Sequence, residues 1–426
     1  MVKALFKSEE SISRWQSAGP TTGSKSTAFS KLLIAHGLFT LLSMWIVVEQ
    51  AVNFNRALAR GMFIPDVVNM TATFDNLWQL YSVIPYEPAF SGVSIIYGWT
   101  WLLSPSLSWL INNILMLASG FIYMKYISPT VKGNKWSILV VYINPYVLLA
   151  SVGPNKEIPL ILLSIIWISI LISEHPIRWF FALIISFFAY FIRDGFGFIL
   201  ATGTIFSMAW GIASARVPIS MLVFGGIVSA SFGTLANFSD TLSRNLAVLE
   251  QGFDRGTAIG ELAASIGLDP LSASGGLALY LVRIVYNSLV LGVFPNFGTV
   301  YGFSNFLGYA YWMNGILILI SLFSSLYVIL NLRRFRKNTF VAFVSFFLIS
   351  LFAVSISQFV QPRYLMPALP IGLSAVLCLP PYIRKRVLAA ALLITFTVVG
   401  LYTLAGRRPQ PEVIVQIEPP AFVWFD

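Results

Sequence analysis

Two pairs of opposite charges stand at the ends of apolar segments in this chain. Lys156-Glu157 precedes one apolar segment, and Arg193-Asp194 follows the next. Apolar segments of this length are typical of membrane helices, and two consecutive helices return the chain to the membrane face from which it started. The two charge pairs are therefore expected on one face, close together. Because a charge at membrane depth costs about 3 kcal/mol unless it is paired or hydrated, we interpret these four residues as the centre of a functional site.

The chemistry expected of this cluster is anion binding combined with proton transfer. Arg363 begins a late apolar helix on the same predicted face, so that it would join Lys156 and Arg193. Three cations from separate helices would form a cradle for phosphate, which arginine binds in a bidentate manner. Glu157 and Asp194 are the candidate catalytic carboxylates. Glu157 is preferred as the base, because the positive end of a helix keeps a carboxylate ionised and oriented.

A purely structural interpretation of the same residues stays open at this point. Asn155 in GPNKE is able to cap the following helix, with a lysine that extends towards the membrane surface. In FIRDGFG, Arg193 and Asp194 would form a simple pair or a helix-breaking turn. Adjacent helical residues do not face each other, which favours another partner for Arg193. Gly195 and Gly197 are expected to allow the close approach of other backbone.

The composition places the chain in a membrane. Of its 426 residues, 57% are hydrophobic and 10% are charged, whereas soluble domains carry about 25% charged residues. The fold class predicted is an all-α polytopic membrane protein. The formal net charge of +10 is interpreted as cytoplasmic anchoring by basic residues, and no nucleic-acid partner is expected.

The alternation of basic clusters predicts about eleven transmembrane helices, with the N-terminus inside and the C-terminus outside. The short apolar segment 90–103 is interpreted as re-entrant or interfacial, since about 20 residues are needed to span. The predicted helices lie near 31–52, 107–126, 136–152, 158–173, 178–192, 196–214, 217–236, 308–331, 339–358, 364–380 and 387–404.

This topology divides the chain into three parts. Residues 1–30 form a cytoplasmic tail, residues 31–404 form the transmembrane domain, and residues 405–426 form an external tail. The transmembrane domain carries external loops at 53–106 and at 237–307. The second of them is long, and its apolar stretch around Arg283 is interpreted as an interfacial helix or a re-entrant hairpin.

The two external loops contain further candidate substrate-binding residues. The first loop holds carboxylates that are interpreted as acid/base, metal-binding or substrate-binding groups, or as loop caps. It also holds aromatic rings that would stack on sugars or form an interface belt. These residues are Asp66, Asp75, Glu87, Trp78, Tyr81, Tyr86 and Tyr97. The second loop holds arginines that would extend the anion-binding surface or lie in water. These residues are Arg244, Arg255 and Arg283.

Several motifs are missing from the sequence. There is no Walker loop, so ATP is not expected to drive the protein directly. There is no HExxH motif and no cluster of Cys and His, so a tightly held zinc site is not expected. No metal ligands and no cofactor are therefore assigned, while the metal dependence of the reaction stays open, because Asp66, Asp75 and Glu87 could meet in the fold.

The chain resembles the Wzy-type polysaccharide polymerases, in the branch related to the EpsG exopolysaccharide proteins. The resemblance lies in FDNLWQLYSVIPYEPAFSGVSIIY, in the NPY and PNKE motifs of a helix pair and in the arginine of FIRDG. It covers roughly the first half of the chain, and the second half matches in outline, with a long external loop and then Arg363-Tyr364. In this chain Asp75 and Tyr81 are further apart than in the family's pattern.

A second resemblance is to multi-spanning glycosyltransferases that use lipid-phosphate sugars. These proteins carry acidic residues in the first external loop and a late RYLxPxLP-like helix start, which residues 363–370 match closely. Both resemblances imply a polyprenyl-linked sugar donor on the outer face. Under the second one, Asp66 or Asp75 would be the base.

Taken with the first resemblance, the residues lead to one hypothesis and two alternatives. The hypothesis is an O-antigen or exopolysaccharide polymerase of the bacterial inner membrane that joins undecaprenyl-diphosphate-linked oligosaccharide repeat units on its outer face. Its expected partners are the lipid-linked oligosaccharide, membrane lipids, a flippase and a chain-length regulator. The alternatives are a multi-spanning glycosyltransferase with a polyprenyl-phosphate sugar donor, and a flippase or transporter of lipid-linked oligosaccharides.

Overall fold

The computed structural model describes residues 25–53, 56–57, 62, 92–93, 95–97, 106–131, 136–173, 175–231, 272–290, 306–335, 340–356 and 362–404. Throughout these residues the regular secondary structure is helical, and they contain no strand. The all-α class is therefore confirmed for the described part of the chain. The C-terminal tail, most of the N-terminal tail and most of the two predicted external loops lie outside the described residues.

The helices follow the apolar segments of the sequence closely. In chain order they are α1 (Lys25–Val52), α2 (Ser106–Ile122), α3 (Leu139–Tyr142), α4 (Pro145–Ala150), α5 (Glu157–Ile172), α6 (Arg178–Ile192), α7 (Asp194–Trp210), α8 (Arg216–Ala230), α9 (Ala273–Val285), α10 (Phe306–Leu330), α11 (Leu332–Phe335), α12 (Val341–Val354), α13 (Leu369–Leu377) and α14 (Pro381–Leu404). A π-helical turn and a 3₁₀ turn extend α2 to Thr130, a second π-helical turn follows α9, and a 3₁₀ helix, Pro362–Ala368, precedes α13.

Three of the described helical segments are long and apolar enough to cross a membrane. They are Thr27–Val52, Leu107–Thr130 and Phe306–Leu330, with 26, 24 and 25 residues. Apolar helices of 10–17 residues occupy other predicted spans. The described residues therefore support a membrane protein, while the count of eleven spans stays a prediction.

The predicted span at 136–152 is divided into two short helices, α3 and α4. Asn144 has an extended backbone with ψ of 113°, and its side chain accepts a hydrogen bond from the backbone N–H of Tyr146. Proline disfavours a helical conformation in the residue before it, and Pro145 follows Asn144 directly. At the break, Nδ2 of Asn144 donates to Oδ1 of Asn314 in α10 over 2.8 Å. The sequence interpretation as one continuous helix overlooked this proline.

The interior of the helix bundle is formed around α12. Nearly every side chain of α12 is buried, and the helix packs against α7, α8, α10 and α13. Small residues allow these close contacts: Gly372 lies against Phe347 and Ser321, and Gly203 lies against Trp167. Small residues in helix interfaces are typical of membrane bundles.

Large apolar side chains cover the outer surface of α1 and α6. Leu41 is 66% exposed, Phe180 is 62% exposed and Phe187 is 60% exposed. A continuous apolar exterior of this kind is unusual in soluble proteins and fits contact with lipid. The outer faces of these two helices therefore agree with the composition.

Candidate functional site

The turn before α5 holds Lys156 and Glu157 in place by side-chain hydrogen bonds. Oδ1 of Asn155 accepts from the backbone N–H of Ile158 over 2.8 Å, and its Nδ2 donates to the carbonyl of Gly153 over 2.9 Å. The expected capping role of Asn155 is thus confirmed. Glu157 lies in the first turn of α5 and is only 3% exposed. A buried carboxylate at this position requires a cation next to it.

Arg193 provides that cation. It lies between α6 and α7 with an extended backbone (φ −155°, ψ 111°), so its side chain leaves the helix axis. Its Nη2 donates to Oε1 of Glu157 over 2.8 Å, and the two side chains are 16% and 4% exposed. The expected proximity of the two charged turns is confirmed. Asp194 instead accepts a hydrogen bond at Oδ1 from the backbone N–H of Gly195, so the expectation that Arg193 points elsewhere is also confirmed.

A second arginine and an aromatic ring complete the cluster from the 3₁₀ helix Pro362–Ala368, which precedes α13. Nε of Arg363 lies 4.0 Å from Oε1 of Glu157. The ring centroid of Tyr364 is 4.9 Å from the guanidinium carbon of Arg193 and 5.9 Å from that of Arg363. The hydroxyl of buried Tyr146 lies beside Arg363. Cation–π contacts of this kind add about 0.5–2 kcal/mol and restrict the orientation of the guanidinium groups.

The cluster has an excess of positive charge and a donor available for an anion. Lys156, Arg193 and Arg363 carry positive charges, while Glu157 and Asp194 carry negative ones. Within the described part of the chain, the buried Nη1 of Arg193 has no hydrogen-bond partner. An arginine fixed at one nitrogen and unbonded at the other is suited to receive an oxyanion.

The pKa of Lys156 provides a test of this electrostatic arrangement. Burial and then the charge of Arg193 lower the pKa of its ammonium group from 10.5 to about 8, although Glu157 opposes the shift. The positive form is therefore present below pH 8 and is lost above it. We expect the affinity for inorganic diphosphate to fall several-fold between pH 7 and pH 9, as measured by calorimetry on the purified chain.

The matched variant for this prediction is Lys156→Arg, which keeps its positive charge throughout the range. Its affinity for diphosphate should vary less with pH than that of the wild type, while the ligand's own titration is common to both. Identical pH profiles for the two proteins would show that Lys156 does not contact the anion.

Arg283 has a different environment from the one expected. It is 3% exposed, and its Nη1 donates to the carbonyl of Ile356 over 2.9 Å, next to the C-terminal end of α12. These bonds satisfy carbonyl groups that the helix end leaves unpaired. Asn287, one turn later, donates to Oγ of Ser355 over 2.9 Å. The described contacts of Arg283 are those of a helix cap, and a role in substrate binding stays a prediction.

Tyr97 is also placed differently from the expectation. It was grouped with the aromatic residues that stack on sugars, yet it is 1% exposed and its hydroxyl donates to Oδ1 of Asn112 over 2.5 Å. A ring enclosed in this way has no face available for a sugar. The remaining candidates of the external loops lie outside the described residues, and their roles stay predictions: Asp66, Asp75, Trp78, Tyr81, Tyr86, Glu87, Arg244 and Arg255.

Two residues at the site were missed in the sequence. Asn112 is fully buried in α2 and donates to the carbonyls of Ser151 and Gly153, next to the charged turn. Tyr146 reaches Arg363 from α4. A signal for Asn112 was available, since polar side chains inside an apolar helix are expensive and tend to be functional. Tyr146 belongs to the NPY motif, but nothing in that motif indicates a contact with Arg363.

Comparison with known protein families, with curated protein sequences and with solved structures gives no match for this chain.

Proposed function

We propose that the chain is a membrane-embedded glycosyl-transfer enzyme that joins oligosaccharide repeat units carried on a polyprenyl diphosphate. One observation supports this proposal above the others. Lys156, Arg193 and Arg363 converge from three separate segments around the buried Glu157, at one end of apolar helices. A cluster of this charge at the end of a membrane bundle suits an anionic headgroup whose lipid chain lies in the bilayer.

The arrangement of donors fits a diphosphate group. Glu157 and the ring of Tyr364 hold the guanidinium of Arg193 in place, so binding costs little side-chain entropy. Its Nη1 and the positive groups of Lys156 and Arg363 then act on neighbouring phosphate oxygens. Arginine favours bidentate contacts and lysine acts as a point charge, so together they suit an extended polyanion.

The proposed reaction requires little beyond electrostatic stabilisation and one base. The hydroxyl oxygen of the acceptor sugar forms a bond to the anomeric carbon of the donor. The bond from that carbon to the diphosphate oxygen breaks, and the lipid diphosphate leaves with the electron pair. Lys156, Arg193 and Arg363 stabilise the negative charge that develops on the leaving group. The hydroxyl proton passes to a carboxylate.

The geometry favours Asp194 over Glu157 for the role of base. Glu157 was preferred on sequence grounds, but it is buried and bound to Arg193, and proton uptake would break that ion pair. Asp194 is only partly buried, and the hydrogen bond to Gly195 occupies one of its oxygens. We therefore assign Glu157 to positioning Arg193 and Asp194 to proton transfer.

The proposal also includes a membrane topology, a role for the loop residues and two partner proteins. The protein would span the inner membrane about eleven times, with the site on the periplasmic or outer face. Arg244, Arg255 and Arg283 would hold the donor or the growing chain, and Asp75, Glu87 and Tyr81 would contribute from the first loop. A flippase would supply the substrate, and a chain-length regulator would limit the product.

The test is an assay of the purified full-length chain with undecaprenyl-diphosphate-linked repeat units, with and without EDTA. We expect a ladder of lipid-linked products that survives EDTA. If the chain instead adds a single sugar from a polyprenyl-phosphate donor, and Asp75→Ala loses this activity, the protein is a glycosyltransferase and not a polymerase. If no product forms and the chain moves lipid across liposome membranes, the protein is a transporter.

A further inference from the structure

A short segment that the structure describes at residues 92–93 and 95–97 is helical there, and it contacts both charged turns of the site, at one end directly and at the other through Asn112. At one end, Gly92 packs so closely on the end of α6 that an added Cβ would lie 2.6 Å from the carbonyl oxygen of Phe191 and 2.9 Å from Cγ1 of Ile192. These residues directly precede Arg193. The neighbouring Val93 is fully buried. This end of the segment therefore fixes the point at which Arg193 leaves α6.

The other end of the segment reaches the turn that carries Lys156 and Glu157. The hydroxyl of Tyr97 donates to Oδ1 of Asn112. Nδ2 of Asn112 in turn donates to the carbonyls of Ser151 and Gly153, over 3.0 and 2.8 Å. A buried amide that makes all these bonds is fixed in one orientation, because any alternative leaves a polar group unsatisfied.

We infer that residues 92–93 and 95–97 position the two halves of the anion site relative to each other, with Tyr97 and Asn112 as positioning residues. The segment contacts the turn before Arg193 through Gly92 and the turn before Lys156 through Tyr97 and Asn112. It therefore sets the separation between the cations while contacting neither the ligand nor the reacting atoms. The inference rests on the proposed anion binding, and it extends the site to the first external loop.

The test compares Tyr97→Phe with Tyr123→Phe. Each variant removes one hydroxyl from a tyrosine that is at most 1% exposed. The hydroxyl of Tyr123 is paired with Oγ of Ser374 over 2.8 Å, near the other end of the extended α2. Tyr97→Phe should weaken inorganic diphosphate binding about fivefold, the effect of one hydrogen bond of ordinary strength. Tyr123→Phe should leave diphosphate affinity unchanged.

A second readout separates positioning from a general loss of stability. The full chain is treated with a small acylating reagent at a series of pH values, and the rate of modification of Lys156 is then measured by mass spectrometry of peptides from the labelled chain. Loosening the turn in Tyr97→Phe hydrates the ammonium group, so the midpoint of this profile should rise above that of the wild type. The midpoint in Tyr123→Phe should equal that of the wild type. In a chain that already carries Lys156→Met, the further substitution Tyr97→Phe should no longer change the affinity for diphosphate.

The outcomes distinguish the two proposals. Equal behaviour of Tyr97→Phe and Tyr123→Phe in both measurements would overturn the positioning role while leaving the proposed function intact. A wild-type chain that binds no diphosphate would overturn the proposed function. The acylation profiles would then still show whether Tyr97 controls the turn at Lys156.

Discussion

Replacing Arg193 with alanine is expected to reduce the rate of repeat-unit transfer by about 10²- to 10³-fold, the effect of removing one preorganised donor from a transition state. The substitution removes the donor Nη1 and also the ion pair with Glu157. The loss should appear in KM and in kcat, because Arg193 binds the diphosphate and also stabilises the charge that grows on the leaving group as the bond breaks. The measurement is the initial rate of ladder formation at saturating donor.

The matched control for this prediction is Arg178→Ala. Arg178 begins α6, the same helix that ends next to Arg193, and its guanidinium lies over Trp179 and donates to the carbonyl of Ser173 over 2.8 Å. Like Arg193, Arg178 lies over an aromatic ring, but it stands at the opposite end of the helix. The transfer rate should stay within about twofold of the wild type, since surface substitutions have small effects.

A second variant separates catalysis from folding. Arg193→Ala leaves the buried Glu157 with only the more distant Arg363, at a cost of up to about 3–5 kcal/mol. The double variant Arg193→Gln with Glu157→Gln replaces the ion pair with neutral groups of similar size. We expect its thermal stability to exceed that of Arg193→Ala, while its activity remains lost. Recovery of activity together with stability would contradict a direct role of the arginine.

Gly197→Ala is expected to destabilise the packing of α6 against α7 without removing a charge from the site. A Cβ at Gly197 would overlap the backbone of Tyr190, where α6 and α7 pack most closely. Backbone atoms move less easily than side-chain ends, so the two helices must separate, at a cost of about 1–3 kcal/mol. Arg193 lies in the connection between these helices, so diphosphate binding should weaken as well. The measurements are the thermal unfolding midpoint in detergent and the calorimetric affinity.

Gly195→Ala is the control for this effect within the same motif. A Cβ at Gly195 meets nothing within 4 Å, and the residue lies in the first turn of α7. Alanine favours a helix over glycine by up to about 1 kcal/mol, so this variant should be as stable as the wild type or slightly more stable. Equal destabilisation by the two substitutions would show that close packing at Gly197 is not the cause.

The sequence allowed the positions of the helices and the meeting of two charged turns to be predicted. Hydropathy placed α6 at 178–192, the range that the structure has. Because two consecutive helices return the chain to its starting face, Lys156-Glu157 is predicted to lie near Arg193-Asp194. The 2.8 Å ion pair between Arg193 and Glu157 confirms this prediction. Both predictions depend on local composition and on chain connectivity. Only one of the two glycines of FIRDGFG has the close backbone neighbour that was expected of both, namely Gly197.

The remainder of the site depends on packing between distant segments. No spacing in the sequence indicates that the ring of Tyr364 lies against Arg193, or that Tyr97 bonds to Asn112. The function of Glu157 as an ion-pair partner also follows from its burial, which a sequence pattern does not reveal. The described bonds of Arg283 to the end of α12 likewise depend on packing that no sequence pattern indicates, while its role in substrate binding stays a prediction.

The most direct test of the central claim is the binding of undecaprenyl diphosphate, compared with undecaprenol, to the purified chain in detergent. We expect the diphosphate lipid to bind, inorganic diphosphate to displace it, and the uncharged alcohol to bind much more weakly. This difference should be lost in Arg193→Gln with Glu157→Gln. Equal binding of the two lipids, or diphosphate binding that survives in the double variant, would contradict the assignment of this cluster to a lipid diphosphate.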